Sequence, residues 1–388
     1  MLERERRLRL SLKAMNATIP VTLLTGFLGS GKTTLLNKLM RSPDAANALI
    51  IINEFGSIGL DHDLVEQSNE DDTVVEMSSG CLCCTIKGDL QATLREAPSR
   101  YVLDGKPKFD RVIIETTGLA DPAPIVHTIM SDGDLIAQYS LAEIVTLVDA
   151  LNGMGTLDLQ AEAVKQVAVA DSIVVSKVDL AKPVELGELT ARLRALNPSA
   201  AIIEHDAGTS DAAQVLGQVF GQGRFNPELK TQEVKDWLDE EAHLAASDPH
   251  HRHHHGGHLH DHGDQQHDHH HDINRHDDRI QSVCISFDEP MAAAEFDEWF
   301  GLLSMLNGVN MLRVKGLINL KEMKAPLVVH GVQHIWHPPA ILPDWPSDDC
   351  RSRIVFILRD MEESHLRKTL QFVLDKRSGA KVEGFEVA

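Results

Sequence analysis

The stretch Gly26-Phe27-Leu28-Gly29-Ser30-Gly31-Lys32-Thr33 sets three glycines ahead of a lysine and a threonine. A chain that turns at Gly26 can fold its backbone N–H groups inward around phosphate oxygens, with Gly29, Ser30, Gly31 and Thr34 against the nucleotide. Lys32 then reaches the β and γ phosphates, and the Thr33 hydroxyl binds Mg²⁺. A second motif, Val112-Ile113-Ile114-Glu115, ends an apolar run in a carboxylate and continues into Thr116-Thr117-Gly118. Glu115 can hold Mg²⁺ directly or through water, and Gly118 can offer its N–H to the γ phosphate. In the third, Ser176-Lys177-Val178-Asp179, the Asp179 carboxylate can accept from guanine N1 and N2, and Lys177 can lie over the base. The alternative for Asp179 is helix capping. The fourth is Gly80-Cys81-Leu82-Cys83-Cys84. Three thiolates this close can converge on one soft ion, Zn²⁺ or Cu(I), and leave one place for a water, a carboxylate or a client's ligand. Such an incompletely closed site, read on a loop, suits delivery better than permanent structural use; three buried, inert cysteines or a redox pair is the alternative.

These groups need rigid elements to hold them. Strands are expected at Val21–Thr25, Ala48–Ile52, Thr73–Met77, Arg111–Glu115, Ile144–Asp149, Ser172–Ser176 and Ala201–Glu204, several apolar throughout, as strands buried on both faces are. Helical stretches alternate with them, one carrying Leu35, Leu36 and Leu39 on a single face. The order predicts an α/β fold, a mostly parallel sheet with helices on both sides. After a linker, a smaller α+β domain is expected: strands Ser282–Phe287, Asn310–Leu317, near Leu327–His330 and Arg353–Leu358, with helices Met291–Leu303 and Glu362–Leu374. The boundaries fall at 18–245, 246–279 and 280–380.

With 388 residues, two domains are the prior, and 43% apolar residues suffice for real cores. The net charge of −21 disfavours nucleic acid and anionic membrane surfaces as partners. No apolar run is long enough for a membrane span, and the opening MLERERRLRLSLKAMNA lacks the apolar core of a secretory leader, so a cytoplasmic location is expected. Five cysteines, three of them clustered, read as a metal or redox site rather than a disulfide framework; Cys284 and Cys350 stand apart.

Thirteen of the 21 histidines lie between His250 and His276, among aspartates and glycines that cannot build a core. Such a linker can gather Zn²⁺, Ni²⁺ or Co²⁺ weakly and raise its concentration near the cysteines, or serve as a spacer. His330, His334 and His337 form a separate group whose spacing permits a metal, packing or a partner contact. His127 reads as a lone structural histidine.

Together these features resemble the CobW-like family of P-loop GTPases, relatives of the nickel accessory GTPases of urease and hydrogenase. The resemblance rests on Thr25–Thr34, Asn53-Glu54-Phe55-Gly56 with Gly59-Leu60-Asp61, Gly80–Cys84, Glu115–Pro122 and Ser176–Asp179. Arg313-Val314-Lys315-Gly316 and the run from Val332 to Pro339 extend it into the second domain. It implies a GTP-hydrolysing metallochaperone that passes zinc, or in some members cobalt, to a client metalloprotein. On that reading GTP, Mg²⁺ and Zn²⁺ are the ligands, with Co²⁺ or Ni²⁺ admitted, and a homo-oligomer is compatible. Lys32, Thr33, Glu115 and Glu54 then belong to the catalytic region, Glu54 and Asp61 to the segment that responds to nucleotide, and Cys81, Cys83 and Cys84 to the transferred metal. Two departures stand out: Ser176 where many relatives have Asn, and Ser57 where they have Glu, which removes a candidate metal ligand. Competing readings are a nucleotide-regulated metal store, cobalt delivery for cobalamin synthesis, and an ATP-using P-loop kinase, the last disfavoured by Asp179.

Overall fold

A computed structural model describes residues 18–40, 47–53, 72–76, 82–86, 90–206, 279–337 and 339–378. The chain begins with β1 (Ile19–Gly26), α1 (Lys32–Met40), β2 (Ala48–Asn53), β3 (Asp72–Glu76), β4 (Leu82–Ile86) and α2 (Leu90–Arg100). A short hairpin, β5 (Val102–Leu103) and β6 (Lys106–Pro107), leads to β7 (Arg111–Thr116), α3 (Ala123–Ser131), α4 (Gly133–Gln138) and β8 (Tyr139–Asp149). Then come α5 (Gly153–Leu159), α6 (Ala161–Val169), β9 (Ser172–Ser176), α7 (Pro183–Leu196) and β10 (Ala201–His205).

The eight main strands order as β10-β9-β8-β1-β7-β2-β4-β3. Every neighbouring pair is parallel except β3 with β4. The apolar runs demand this: Leu49, Ile50 and Ile51 of β2, and Ile173, Val174 and Val175 of β9, are fully buried, so both sheet faces must be covered. Leu35, Leu36 and Leu39 of α1 pack on one face with Leu24, Ile50 and Leu147. On the other, Val164 and Val167 of α6 and Leu189 and Leu193 of α7 pack with Ile173 and Val175.

The second unit comprises β11 (Ile280–Phe287), α8 (Ala293–Asn307), β12 (Met311–Ile318), β13 (Leu327–Val332), β14 (Ile335–Trp336), β15 (Ala340–Ile341), β16 (Ser352–Arg359) and α9 (Glu363–Ser378). Its antiparallel sheet runs β11-β16-β12-β13-β14, with β15 on β13. Trp299 and Leu303 of α8 and Leu366 of α9 build its core with Val314 and Phe356. The sheet also contributes to the first domain: Leu312, Val332, Ile335 and Ile357 share one apolar cluster with Ile129, Leu141 and Val169.

Two local expectations change. Leu82–Ile86 is a strand rather than a loop, so Cys83 and Cys84 sit on β4, parallel to β2. The run Leu-Cys-Cys-Thr-Ile suits a strand, because cysteine behaves as a small hydrophobe and Thr and Ile are β-branched. β8 begins five residues before the expected Ile144, at Tyr139, where it pairs with Ile19 of β1. Among the described residues no helix is long and apolar enough to cross a membrane.

Candidate functional site

The turn after β1 depends on Gly26, whose φ of 136° belongs to glycine. A Cβ there would also lie 2.4 Å from the Leu147 carbonyl oxygen of β8. The turn closes with Ser30 N–H donating to Phe27 O (3.2 Å), and α1 starts where Leu35 N–H donates to Gly31 O (2.9 Å). The Lys32 ammonium folds back over this loop and donates to Gly26 O (2.6 Å) and Phe27 O (3.0 Å). Burial pushes its pKa below the ordinary lysine value, against the opposing pull of the Glu115 carboxylate. A phosphate at the loop would add further counter-charge to this buried cation. Thr34 lies exposed at the start of α1.

The parallel register brings the second motif alongside. Leu24 of β1 pairs with Glu115 of β7, and Thr33 Oγ1 donates to Glu115 Oε1 (3.1 Å). Thr116 Oγ1 donates to Thr25 Oγ1 (2.9 Å), tying the two strand ends together. An octahedral Mg²⁺ with bonds of about 2.1 Å sets adjacent oxygen ligands about 3 Å apart, so the Thr33 hydroxyl and Glu115 carboxylate fit the ion. Beyond β7 the chain crosses directly over the loop: a Cβ on Gly118 would stand 2.6 Å from the Leu28 nitrogen. Only glycine admits so close an approach.

The third motif meets the loop from the other side. Ser176 Oγ donates to Ser30 O (2.7 Å), so the serine in the usual asparagine position fastens β9 to the phosphate loop. Lys177 has left-handed backbone (φ 58°), and its ammonium donates to Gly29 O (2.8 Å) and Asp149 Oδ2 (2.6 Å). Burial works to raise the Asp149 pKa. The hydrogen bonds from Lys177, Asn152 and the Leu151 N–H outweigh it and hold the carboxyl below its ordinary value. Asp179, in a short 3₁₀ turn (Val178–Leu180), is exposed and open to a ligand.

Asp149, Asn152 and Gln166, which the sequence did not single out, join the loop residues to complete the site. A cleft of about 220 Å³ lies beside the loop, bordered by Leu28, Ser30, Asp149, Asn152 and Gln166. Gln166 Nε2 donates to Gly118 O (3.3 Å) and Ala120 O (3.0 Å). Its place in the polar-apolar pattern of α6 was its only sequence signal.

Cys83 and Cys84 take register positions opposite Ile50 and Ile51 of β2. Ile51 pairs in turn with Ile114, and Ile52 with Glu115. Cys84 therefore occupies the row next to that of Glu115, two strands across. Cys81, Glu54, Ser57, Asp61 and the histidine tract lie outside the described residues. Among the described residues no three His, Cys, Asp or Glu side chains are grouped to hold a metal. His127 is not alone: its ring centroid lies 5.4 Å from that of His334 in the second domain, and His330 and His337 are 6.2 Å apart. Cys284 and Cys350 are exposed.

Comparison with known proteins adds relatives to this geometry. Residues 20–204 match the CobW/HypB/UreG nucleotide-binding domain, and residues 280–374 match the cobalamin synthesis protein cobW C-terminal domain. The zinc chaperone YjiA of Escherichia coli K12 is 29% identical over 350 residues, 90% of this chain and 96% of the relative. Zinc-regulated GTPase metalloprotein activator 1 of Schizosaccharomyces pombe is 33% identical over 213 residues, 54% of this chain and 51% of the relative. The crystal structure of Zn(II)-bound YjiA GTPase from E. coli superposes with a TM-score of 0.63 at 26% identity, covering 92% of this chain and 99% of that one.

Proposed function

The chain belongs to the CobW/HypB/UreG family of nucleotide-binding domains, followed by a CobW C-terminal domain, and from that premise we propose that it spends GTP to load and release zinc for a client metalloprotein. It is a P-loop GTPase of the zinc-chaperone kind, working with GTP, Mg²⁺ and zinc. Residues 18–245 form the GTPase domain, 246–279 a histidine-rich arm that gathers metal, and 280–380 the domain that meets client or partner. The cytoplasm, where thiols stay reduced, suits the cysteine motif.

On this reading the loop N–H groups and Lys32 bind the β and γ phosphates, and Gly118 donates to the γ phosphate. Asp179 selects guanine through two hydrogen bonds, while Ser176 and Lys177 brace the loop from below. Thr33 and Glu115 would hold Mg²⁺, which would supply charge neutralisation for the nucleotide phosphates. Glu54 belongs to the segment that answers to the nucleotide. Cys81, Cys83 and Cys84 carry the cargo zinc as thiolates.

The observation that carries the coupling is the register of the sheet. The cysteine strand β4 is hydrogen-bonded to β2, and β2 to the Glu115 strand β7, so Cys84 and Glu115 stand in adjacent rows. Two strand spacings put these backbones about 10 Å apart. A shift at the end of β2, where Asn53 leads into Glu54, therefore reaches both metal and phosphate segments. The test is zinc affinity, by competition with a chromophoric chelator, in the GDP form and with a non-hydrolysable GTP analogue. The two affinities should differ about 5- to 150-fold, and Cys83→Ser should abolish the difference. Equal affinities in the two nucleotide states would discard the coupled mechanism.

A further inference from the structure

Glu162, Lys165 and Gln166 are the polar residues of α6, and of these only Gln166 is buried. Its neighbours Ala163, Val164 and Val167 belong to the cluster between α6 and the sheet, and Gln166 is itself fully buried. An apolar side chain of that length would fill the position without dehydrating an amide. The amide is fully used at one end only. Nε2 donates to Gly118 O and Ala120 O, at 3.3 and 3.0 Å, and because both partners are carbonyls only the nitrogen end can face them. Oε1 is buried at the edge of the cleft with no hydrogen-bond partner. A residue kept at that cost is kept for what its donors hold.

What they hold is the turn that crosses the phosphate loop. Ala120 N–H donates to Thr117 O (3.1 Å), closing the turn, and Gly118 presses against the Leu28 backbone. In a trans peptide C=O and N–H point in opposite directions. Fixing the carbonyls of Gly118 and Ala120 toward α6 therefore fixes the planes of the peptides that follow each of them, and with them how far Gly118 stands from the loop. Gln166 is anchored in turn, since Thr146 Oγ1 of β8 donates to its main-chain carbonyl oxygen (2.7 Å). The geometry points to Gln166 as a positioning residue for GTP hydrolysis, one that holds the Gly118–Ala120 turn at the height from which Gly118 engages the terminal phosphate. It touches no reacting atom and acts through that turn. The inference rests on the assignment of Gly118 to the γ phosphate.

The experiment compares Gln166→Leu and Gln166→Met, which keep the volume and remove the donors, with Gly118→Ala and wild type. GTP turnover, GDP affinity and the melting midpoint are measured on the full chain. Both Gln166 variants should lose about tenfold or more in kcat, as mispositioned groups do. GDP affinity should stay within about twofold, because the loop that binds the diphosphate is untouched. Wild-type kcat in both Gln166 variants would overturn the proposal, as would a loss of GDP binding parallel to that of turnover, which marks a merely structural role. If Gly118→Ala turned over GTP at the wild-type rate, the assignment of Gly118 itself would fall. An impaired Gly118→Ala beside unaffected Gln166 variants would remove Gln166 alone.

Discussion

Asp179 is exposed, while the residues around it are engaged: Ser176 and Lys177 both spend their polar groups on the phosphate loop. Base choice then rests on one carboxylate. Removing it in Asp179→Ala should weaken GTP binding about 150-fold, the worth of two charge-assisted hydrogen bonds at the low end of their range. The weak binding of ATP should be unchanged, as read by competition against a fluorescent GDP; an equal loss for both nucleotides would remove the guanine assignment. Gly118 carries a second, purely steric expectation. Its missing Cβ would meet backbone, which has no rotamer to yield, so Gly118→Ala must push the turn off the loop. Turnover should fall while the fold, judged by circular dichroism, stays intact.

At the scale of elements α6 is the crossing point. Gln166 on it holds the turn after β7, and its C-terminal carbonyls are capped from a distance by Asn197. Asn197 Nδ2 donates to Val167 O (2.8 Å), Ala168 O (3.2 Å) and Ala170 O (2.9 Å), and Asn197 Oδ1 accepts from Ser199 Oγ (2.9 Å). The last carbonyls of a helix have no partner of their own, and burying them unpaired is costly. Asn197→Leu should therefore destabilise the protein by about 1–3 kcal/mol in urea unfolding, although it adds apolar volume to a buried site. No loss would mean that these carbonyls find other partners. Asn197 follows α7 directly and carries no motif, so nothing in its local sequence separates it from an ordinary loop asparagine.

Across the whole molecule, a buried carboxylate adds an ionic joint to the apolar cluster that the two domains share. Asp171, between α6 and β9, pairs with Arg313, lies 3.3 Å from Lys315 Nζ and accepts from Ile144 N–H (3.0 Å). Lys315 Nζ also donates to Ser199 O (3.0 Å). Burial alone would raise the Asp171 pKa. The Arg313 and Lys315 charges, helped by His330 and the Ile144 N–H, overcome it and hold the carboxyl well below the usual carboxylate range. Asp171→Asn leaves two cations buried against a neutral group, and stability should fall by about 3–5 kcal/mol in chemical denaturation. The pH dependence has a definite sign. With the folded pKa below the unfolded value of about 3.9, the stabilisation is complete above that pH and is lost as pH falls below it. Wild type should thus converge on the Asp171→Asn variant only in acid, below about pH 4. A gap between the two that stayed constant down to pH 3 would contradict the assignment.

The sequence by itself determined whatever is local. A phosphate loop is eight consecutive residues whose backbone does the binding, so its spacing suffices, and runs such as Leu49–Ile52 and Ile173–Val175 announce strands buried on both faces. The same local reading took the cysteine cluster for a loop, because the run is short, follows Ser-Ser-Gly, and its pairing partner, β2, lies some thirty residues earlier. Tertiary structure decided what long-range pairing makes: the row relation of Cys84 to Glu115, the clamp of Gln166 on Gly118, the Asn197 cap and the Asp171–Arg313 joint between domains. His127 shows the same limit, since its neighbour His334 is supplied by the other domain. A lone buried polar residue has no periodicity to betray it; its meaning lies in the partner that folding brings to it from far along the chain.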